Sequence, residues 1–277
     1  MKYGIWRHEN AFGNSAEHTV GLAKHIARIE DDDPIVFVEN EFQKDFVLCI
    51  PGITPERVKF FDPIESMDSS HPSGYWGGYD NELLKDIYMP NPYPFCKTYP
   101  ASWADLSDEP DVTLRFPEEY YENKHNLPED AIVIFIREYG TYWKRFEGAT
   151  SEPHRFVNPI TFFNIATHYA EQGHTVVRIG DKNQAPMLEH KNIIDFAMEE
   201  NRTMLDDLYV ISKSKVFLSC DSGVWPMAGG MKKNLVLSNV AKTHYIEWLP
   251  KDTTTVLFKK GEDNSFDQLK DAVDKYL

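Results

Sequence analysis

The segment Cys220-Asp221-Ser222-Gly223 joins an apolar run that ends at Ser219 directly to a short helix predicted over Ser222–Gly230. A strand that enters a helix in this way leaves the backbone N–H groups of Ser222, Gly223 and Val224 without partners inside the helix. Gly223 has no side chain, so a ligand can approach the backbone closely. Such N–H groups and the helix dipole favour an anion, typically phosphate. We predict an anion site here, with simple capping of the helix by Asp221 or Ser222 as the alternative.

Arginines follow a second strand. The apolar run Ala131–Ile136 is typical of a strand covered on both faces, and Arg137 comes directly after it, in a loop that also carries Arg155. A guanidinium group can bind phosphate through two parallel hydrogen bonds. Arg137 is therefore a candidate phosphate ligand, and an ion pair of Arg137 with Glu138 or Asp181 is the alternative.

A third strand ends in the sequence R-I-G-D. Gly180 permits a sharp turn, and the carboxylate of Asp181 could accept a hydrogen bond from a ribose or sugar hydroxyl. An aspartate in a turn is also common for purely local reasons. Both interpretations of Asp181 stay open.

The loop near the N-terminus concentrates polar side chains: His8, Glu9, Asn10, Asn14, Glu17 and His18. A carboxylate or imidazole in such a loop could act as a general base, although solvated loop residues would look the same. Glu9 is the first candidate for a catalytic base, followed by His8 and Glu17. The loop has no His-x-x-x-His pair, so we expect no metal site.

Strands and helices must position these loops. Apolar residues recur at helical spacing over Glu17–Ile29, with Ser15 as the predicted N-cap. Strand-helix alternation fails between residues 71 and 128, where prolines are frequent, and it resumes at Ala131. Alternation of this kind predicts an α/β fold with parallel sheets, in which the loops after the strands share one edge and bind ligands.

Composition excludes several classes of function. The net charge is −15, which would repel the phosphate backbone of a nucleic acid. No stretch approaches the run of about 20 apolar residues that a membrane span needs, so we expect a cytoplasmic protein without membrane insertion. Three widely spaced cysteines fit buried thiols better than disulfides or zinc ligands. The G-x-G-x-x-G and G-x-x-x-x-G-K-[ST] motifs are absent.

Three segments read FIREYGTYW, HRFVNPITFFNIATHYAEQGHTVVRIGD and DDLYVISKSKVFLSCDSGVWPMA. In this order, between Ile132 and Leu237, they resemble a largely uncharacterised family of bacterial and viral glycosyltransferases. More loosely, they are similar to the C-terminal half of GT-B enzymes such as heptosyltransferases and fucosyltransferases. The segment FGNSAEHTVGLAKHI looks like the first loop and helix of a GT-B N-terminal half.

The resemblance implies two Rossmann-like halves that face each other across a cleft, the first half being small and irregular. The expected domains are residues 1–125 on the acceptor side, 126–262 on the nucleotide-sugar side, and a closing helix in 263–277 that returns to the first half. The resemblance implies diphosphate contacts at Arg137, Ser222 and Gly223, and ribose or base contacts at Gly180 and Asp181. The further candidate donor contacts are Arg155, Asp221 and Val224.

The chain is therefore expected to be a glycosyltransferase that moves a sugar from a nucleotide diphosphate sugar to a glycan or similar acceptor. The resemblance implies no cofactor and no metal, because positive side chains and a helix dipole would offset the charge of the leaving diphosphate. A nucleotide-sugar epimerase or hydrolase on the same fold is one alternative. A non-catalytic binding protein, suggested by the irregular first half, is the other.

Overall fold

The structure is a computed structural model that describes residues 1–5, 12–60, 87–90, 97–99, 110–122, 125–137, 157–240, 246, 249–259 and 265–277. The chain divides into two compact units, Met1–Pro117 and Glu118–Leu277. The division lies at Pro117 rather than at residue 125. None of the described helices has the length and apolar character needed to cross a membrane.

The first unit contains a parallel sheet whose described strands follow the order β3-β2-β1-β4-β5. Its elements are β1 Lys2–Gly4, α1 Phe12–Arg28, β2 Ile35–Val38, α2 Glu41–Val47, a 3-10 turn at Pro55–Arg57, β3 Val58–Phe60, β4 Ile87–Pro90 and β5 Lys97–Tyr99. The strand order reverses between β1 and β4, as it does in a Rossmann-like half.

One expectation about the first unit is wrong. Helix α1 begins at Phe12, so Ser15 lies inside the helix and is not its N-cap. The hydroxyl of Thr19 donates to the backbone carbonyl of Ser15 at 2.7 Å, as a side chain within a helix can. The stretch in which the strand-helix alternation fails contains, among its described residues, no strands other than the short β4 and β5, and Pro90 lies at the end of β4, where proline is tolerated.

The second unit contains a parallel sheet of six strands in the order β11-β10-β9-β6-β7-β8. Its strands are β6 Ala131–Phe135, β7 Val176–Ile179, β8 Ile193–Asp195, β9 Ser214–Cys220, β10 Asn234–Val240 and β11 Thr255–Lys259. Its helices are α3 Pro159–Glu171, α4 Met204–Ser212, α5 Trp225–Gly230 and α6 Phe266–Asp274, with 3-10 turns at Glu118–Tyr120 and Phe196–Met198.

This strand order is that of a doubly wound Rossmann sheet, with β6 as its first strand and β9 as its fourth. The chain runs from β6 outward to β7 and β8, then returns to pair β9 with the other side of β6. The order therefore reverses between β6 and β9. In open α/β sheets, ligands bind beyond the carboxyl ends of the strands at such a reversal.

Helices α3 and α6 cover one face of this sheet. Their buried side chains pack with Ile132, Ile134, Val216 and Val236 in one apolar cluster. Alternate residues of these strands share a face, which explains why continuous apolar runs are buried on both sides. Helices α4 and α5 contact each other and the central strands, and they lie outside this cluster, on the other face.

Sequence signals mark both ends of helix α3. Asn158 accepts a hydrogen bond from the N–H of Ile160 at 3.0 Å, and Pro159 is the first helical residue. Gly173 follows the helix at φ +95°, a conformation that suits glycine. The local signals of cap, proline and glycine therefore place this helix correctly.

The closing helix α6 packs against α3 and the second sheet. Leu269, Ala272 and Val273 are buried in the core of the second unit. The hydroxyl of Tyr169 in α3 donates to Lys270 O at 2.9 Å and to the Asp274 carboxylate at 2.7 Å. The helix belongs to the compact unit Glu118–Leu277, and its return to the first half stays a prediction.

The first turn of helix α4 contains two adjacent aspartates whose pKa values shift in opposite directions. Asp206 forms a capping box with Thr203 and accepts from the hydroxyl of Tyr121 at 2.8 Å. Burial raises the pKa of Asp206, but these hydrogen bonds and the nearby His125 outweigh burial and hold the pKa below its usual value. Burial raises the pKa of Asp207 to about 7, against the opposing charge of Arg202.

These opposite pKa shifts predict opposite effects of two conservative substitutions. The unfolded carboxyl of Asp207 ionises near 3.8 and the folded one near 7, so its ionisation costs stability as the pH rises through this interval. We expect Asp207→Asn to raise the melting temperature relative to the wild type, by more at pH 8 than at pH 5. Thermal unfolding at the two pH values measures this difference.

The neighbouring variant Asp206→Asn is the matched control. The stability that Asp206 contributes is present above about pH 4 and is lost only as the pH falls through its depressed pKa. This variant should therefore be less stable than the wild type at both pH values, by about 1 kcal/mol, because it weakens the helix cap. A fall in melting temperature of equal size for both variants would contradict the assignment of Asp207.

Candidate functional site

The carboxyl ends of β6 and β9 bring two of the predicted loops into contact. Arg137 follows β6 and is 8% exposed, and Asp221 follows β9 and is 4% exposed. Nη1 of Arg137 donates to the backbone carbonyl of Asp221 at 3.3 Å. A buried guanidinium thus lies at the reversal of strand order, next to the Asp-Ser-Gly loop. Because water is largely excluded there, its positive charge is weakly screened.

The Asp-Ser-Gly loop is a turn that precedes α5, not the first turn of the helix. Helix α5 starts at Trp225, and its N-cap is Val224. The predicted start at Ser222 is wrong because Pro226 lies at the beginning of the helix, where its fixed φ and missing N–H are tolerated. An anion site here would depend on the N–H groups of the turn and on Arg137 more than on this short helix.

Hydrogen bonds of two serine side chains stabilise this turn on its buried side. The hydroxyls of Ser219 and Ser222 lie 3.1 Å apart, and Ser219 also donates to Cys220 O at 3.2 Å. Ser222 is 5% exposed, and Cys220 is fully buried, as expected for a structural thiol. The side chain of Ser222 therefore faces into the protein, and a ligand would meet the backbone of the turn.

The turn after β7 requires glycine at its first position. Gly180 has φ +144°, and a Cβ atom there would lie 2.7 Å from Oε1 of Gln184. The backbone N–H of Gln184 donates to Asp181 O at 3.1 Å, and its side-chain amide donates to the carbonyl of Ile136. Since Ile136 directly precedes Arg137, the turn after β7 is attached to the end of β6.

Asp181 organises this turn locally. Its Oδ1 accepts hydrogen bonds from the backbone N–H of Asn183 at 2.9 Å and from the Asn183 side chain at 2.7 Å. This is the local role that the sequence left open for a turn aspartate. The ribose-binding role of Gly180 and Asp181 stays a prediction.

Three residues that the sequence analysis did not single out lie around the same sheet edge: Gln184, Arg202 and Asp207. Arg202 precedes α4, donates to Gly180 O at 2.5 Å and lies 3.4 Å from the carboxylate of Asp207. Asp207 and Gln184 are 7% and 6% exposed. No local motif marks Gln184 or Arg202, because the carbonyls of Ile136 and Gly180 to which they donate are distant in sequence.

The other predicted site residues are less defined. His8, Glu9 and Arg155 lie outside the described residues. Glu17 lies in α1 and is half-buried. Gly223 is half-buried and Val224 is buried in the turn before α5. Among the residues that the structure describes, no group of three or more His, Cys, Asp or Glu could hold a metal ion. The catalytic roles of Glu9, His8 and Glu17 stay predictions.

No family model matches the chain, and no curated protein matches its sequence. Solved structures do match its fold. The chain is similar to E. coli heptosyltransferase WaaC with ADP, with a TM-score of 0.61 and 9% identity over 100% of both chains. E. coli ADP-heptose LPS heptosyltransferase II matches with a TM-score of 0.59 and 12% identity, over 99% of this chain and 98% of the other.

A glycosyltransferase of family 9 from Veillonella parvula DSM 2008 matches with a TM-score of 0.59 and 11% identity, over 99% of this chain and 96% of the other. These proteins are similar to this chain along its length, while their sequences differ at most positions. At this level of identity, the likeness shows the fold alone. The chain thus has an α/β fold with two parallel sheets, the GT-B-like fold of these glycosyltransferases.

Proposed function

We propose that this protein is a glycosyltransferase that moves a sugar from a nucleotide diphosphate sugar to a glycan or similar acceptor. The contact between Arg137 and the carbonyl of Asp221 carries the proposal, because it places a buried guanidinium beside the Asp-Ser-Gly turn. A cation and backbone N–H groups at a strand-order reversal suit a diphosphate. Two structures of the similar heptosyltransferase WaaC contain ADP or an ADP-linked sugar analogue, which supports a nucleotide donor.

In the proposed reaction, the oxygen of an acceptor hydroxyl attacks the anomeric carbon of the donor sugar. The bond from that carbon to the diphosphate oxygen breaks, and the nucleoside diphosphate leaves with the bonding electrons. A general base takes the acceptor proton, and Glu9, His8 and Glu17 are the candidates for it. Arg137 and the turn at Ser222 and Gly223 would stabilise the charge that develops on the leaving diphosphate.

Gly180 and Asp181 are the proposed ribose contacts, and Arg155 is a further proposed diphosphate ligand. Their support is the shared sheet edge, since the turn at Gly180 is tied to Ile136 beside Arg137. This arrangement would hold a nucleotide that extends from the end of β9 across β6 to the end of β7. A metal ion would not be needed if the guanidinium and N–H groups carry the diphosphate charge.

The diphosphate assignment predicts the behaviour of an Arg137→Gln variant. The substitution removes the positive charge but keeps a side chain that can donate to Asp221 O. A hydrogen bond to a charged group contributes about 1.5–3 kcal/mol, so binding of a nucleoside diphosphate should weaken by roughly tenfold or more. Calorimetric titration with ADP, UDP, GDP and CDP measures the affinity.

The matched control for Arg137 is Arg57→Gln. Arg57 donates to a backbone carbonyl, Asp32 O, at 2.9 Å and forms an ion pair with Asp33, before β3 in the other unit. This control changes the net charge equally but should leave nucleotide affinity unchanged. Equal affinities in the wild type and Arg137→Gln would remove Arg137 from the site.

Turnover separates the proposed transferase from the other functions. Incubation of the wild type with a nucleotide sugar and a glycan panel should yield a glycosylated acceptor and free nucleoside diphosphate, with or without a chelator. Mass spectrometry of the products measures the transfer. Epimerised sugar without acceptor would identify an epimerase instead, and nucleotide binding without any turnover would identify a binding protein.

A further inference from the structure

Arg202 contacts three separate segments of the second unit. Its Nη2 donates to Gly180 O at 2.5 Å, after β7, and its Nη1 donates to Phe196 O at 3.1 Å, after β8. Its Nε lies 3.4 Å from the Asp207 carboxylate in the first turn of α4. The guanidinium carbon also lies 6.0 Å from the centre of the Phe196 ring. One side chain thus joins two strand ends and a helix start.

The backbone conformations of the residues on both sides of Arg202 hold its side chain in place for these contacts. Asn201 has φ +62°, a left-handed conformation that non-glycine residues adopt uncommonly. Thr203, on the other side, is the N-cap of α4 in an extended conformation. The turn at Asn201 reverses the chain and the cap anchors it, so that Arg202 is held between β8 and α4. Left-handed backbone at a non-glycine residue is most often found where a particular local geometry is required.

The turn that Arg202 contacts is also held from its opposite side. The side-chain amide of Gln184 donates to Ile136 O at the end of β6, next to Arg137. Arg202 holds the carbonyl of Gly180 from the side of β8. The turn from Gly180 to Gln184 is therefore braced on both sides, and its position is coupled to that of Arg137. A ligand that uses Arg137 and this turn would meet a preformed surface.

We propose that Arg202 is a positioning residue of the nucleotide site. By donating to Gly180 O, it keeps the Gly180–Asp181 turn in a fixed position relative to Arg137. The inference rests on the proposed function, because the turn is the proposed ribose contact. Arg202 acts through the turn and has no role in bond making or breaking. Its planar guanidinium can reach two carbonyls and a carboxylate at once, which the single ammonium of a lysine cannot do.

The first experiment measures the turn without any ligand. Amide hydrogen exchange of the apo protein is compared between the wild type and Arg202→Lys. In the variant, exchange should increase in peptides that cover residues 180–184 and stay unchanged in peptides from the core strand β9. Local opening raises exchange only in the segment that has lost its support. Unchanged exchange at 180–184 would show that Arg202 does not hold the turn and would overturn the inference.

The second experiment measures affinity for the tightest of ADP, UDP, GDP and CDP by calorimetry. Arg202→Lys should bind about tenfold more weakly than the wild type, which corresponds to about 1.4 kcal/mol, and Arg202→Ala should bind more weakly still. Arg57→Lys is the matched control, since Arg57 also donates to a carbonyl and pairs with an aspartate. It should change neither affinity nor exchange at 180–184.

The combined outcomes separate this inference from the proposed function. If exchange rises in Arg202→Lys but affinity is that of the wild type, Arg202 supports the turn without positioning the site, and the inference is wrong. If none of the four diphosphates binds the wild type, the proposed function fails, and the failure is visible before any variant is made. Lower affinity with a melting temperature within the range of the control variant would support positioning over general stability.

Discussion

The reversal of strand order between β6 and β9 is the constraint on which the second unit depends. Parallel strands are joined by right-handed crossovers, so the connections that leave the two strands at a reversal lie on opposite faces of the sheet. The carboxyl ends of these two strands therefore border a crevice. Arg137 and Asp221 are the residues that leave those two strands, and their contact at 3.3 Å spans the reversal. Other site features are arranged around this contact: the turn of Gly180 on one side and the turn before α5 on the other.

Two buried or half-buried arginines lie at this edge of an acidic protein. The chain carries a net charge of −15, yet Arg137 and Arg202 both lie at the carboxyl edge of the second sheet. The pKa of the neighbouring Asp207 is raised to about 7 by burial, so this carboxyl is partly neutral near physiological pH and cancels less of that positive charge. The proposed diphosphate site would depend on these arginines, because solvent screens buried charges less than distant surface charges.

How far the sequence predicts this arrangement depends on whether the signal is local. Strand β6 and helix α3 follow from an apolar run and from Pro159 and Gly173, and the resulting sheet edge brings the loops of Arg137 and Asp221 together. The Asp-Ser-Gly signal predicts too early a start for α5, because Pro226 lies at the beginning of the observed helix. Arg202 could not be predicted, since its acceptor Gly180 O is 22 residues away and its role exists only once β7, β8 and α4 have assembled.

Likeness of fold at 9–12% identity means that the same strand order is built from largely different side chains. Such a fold preserves where a ligand binds but not how it is bound, because the reversal of strand order is a property of the backbone. The chemistry must then be argued from the side chains that this chain places there. A buried arginine at the strand end can recognise a diphosphate whatever nucleoside carries it. In the proposed site, the nucleoside would be held at the turn of Gly180 and Asp181, whose geometry depends on Gln184 and Arg202.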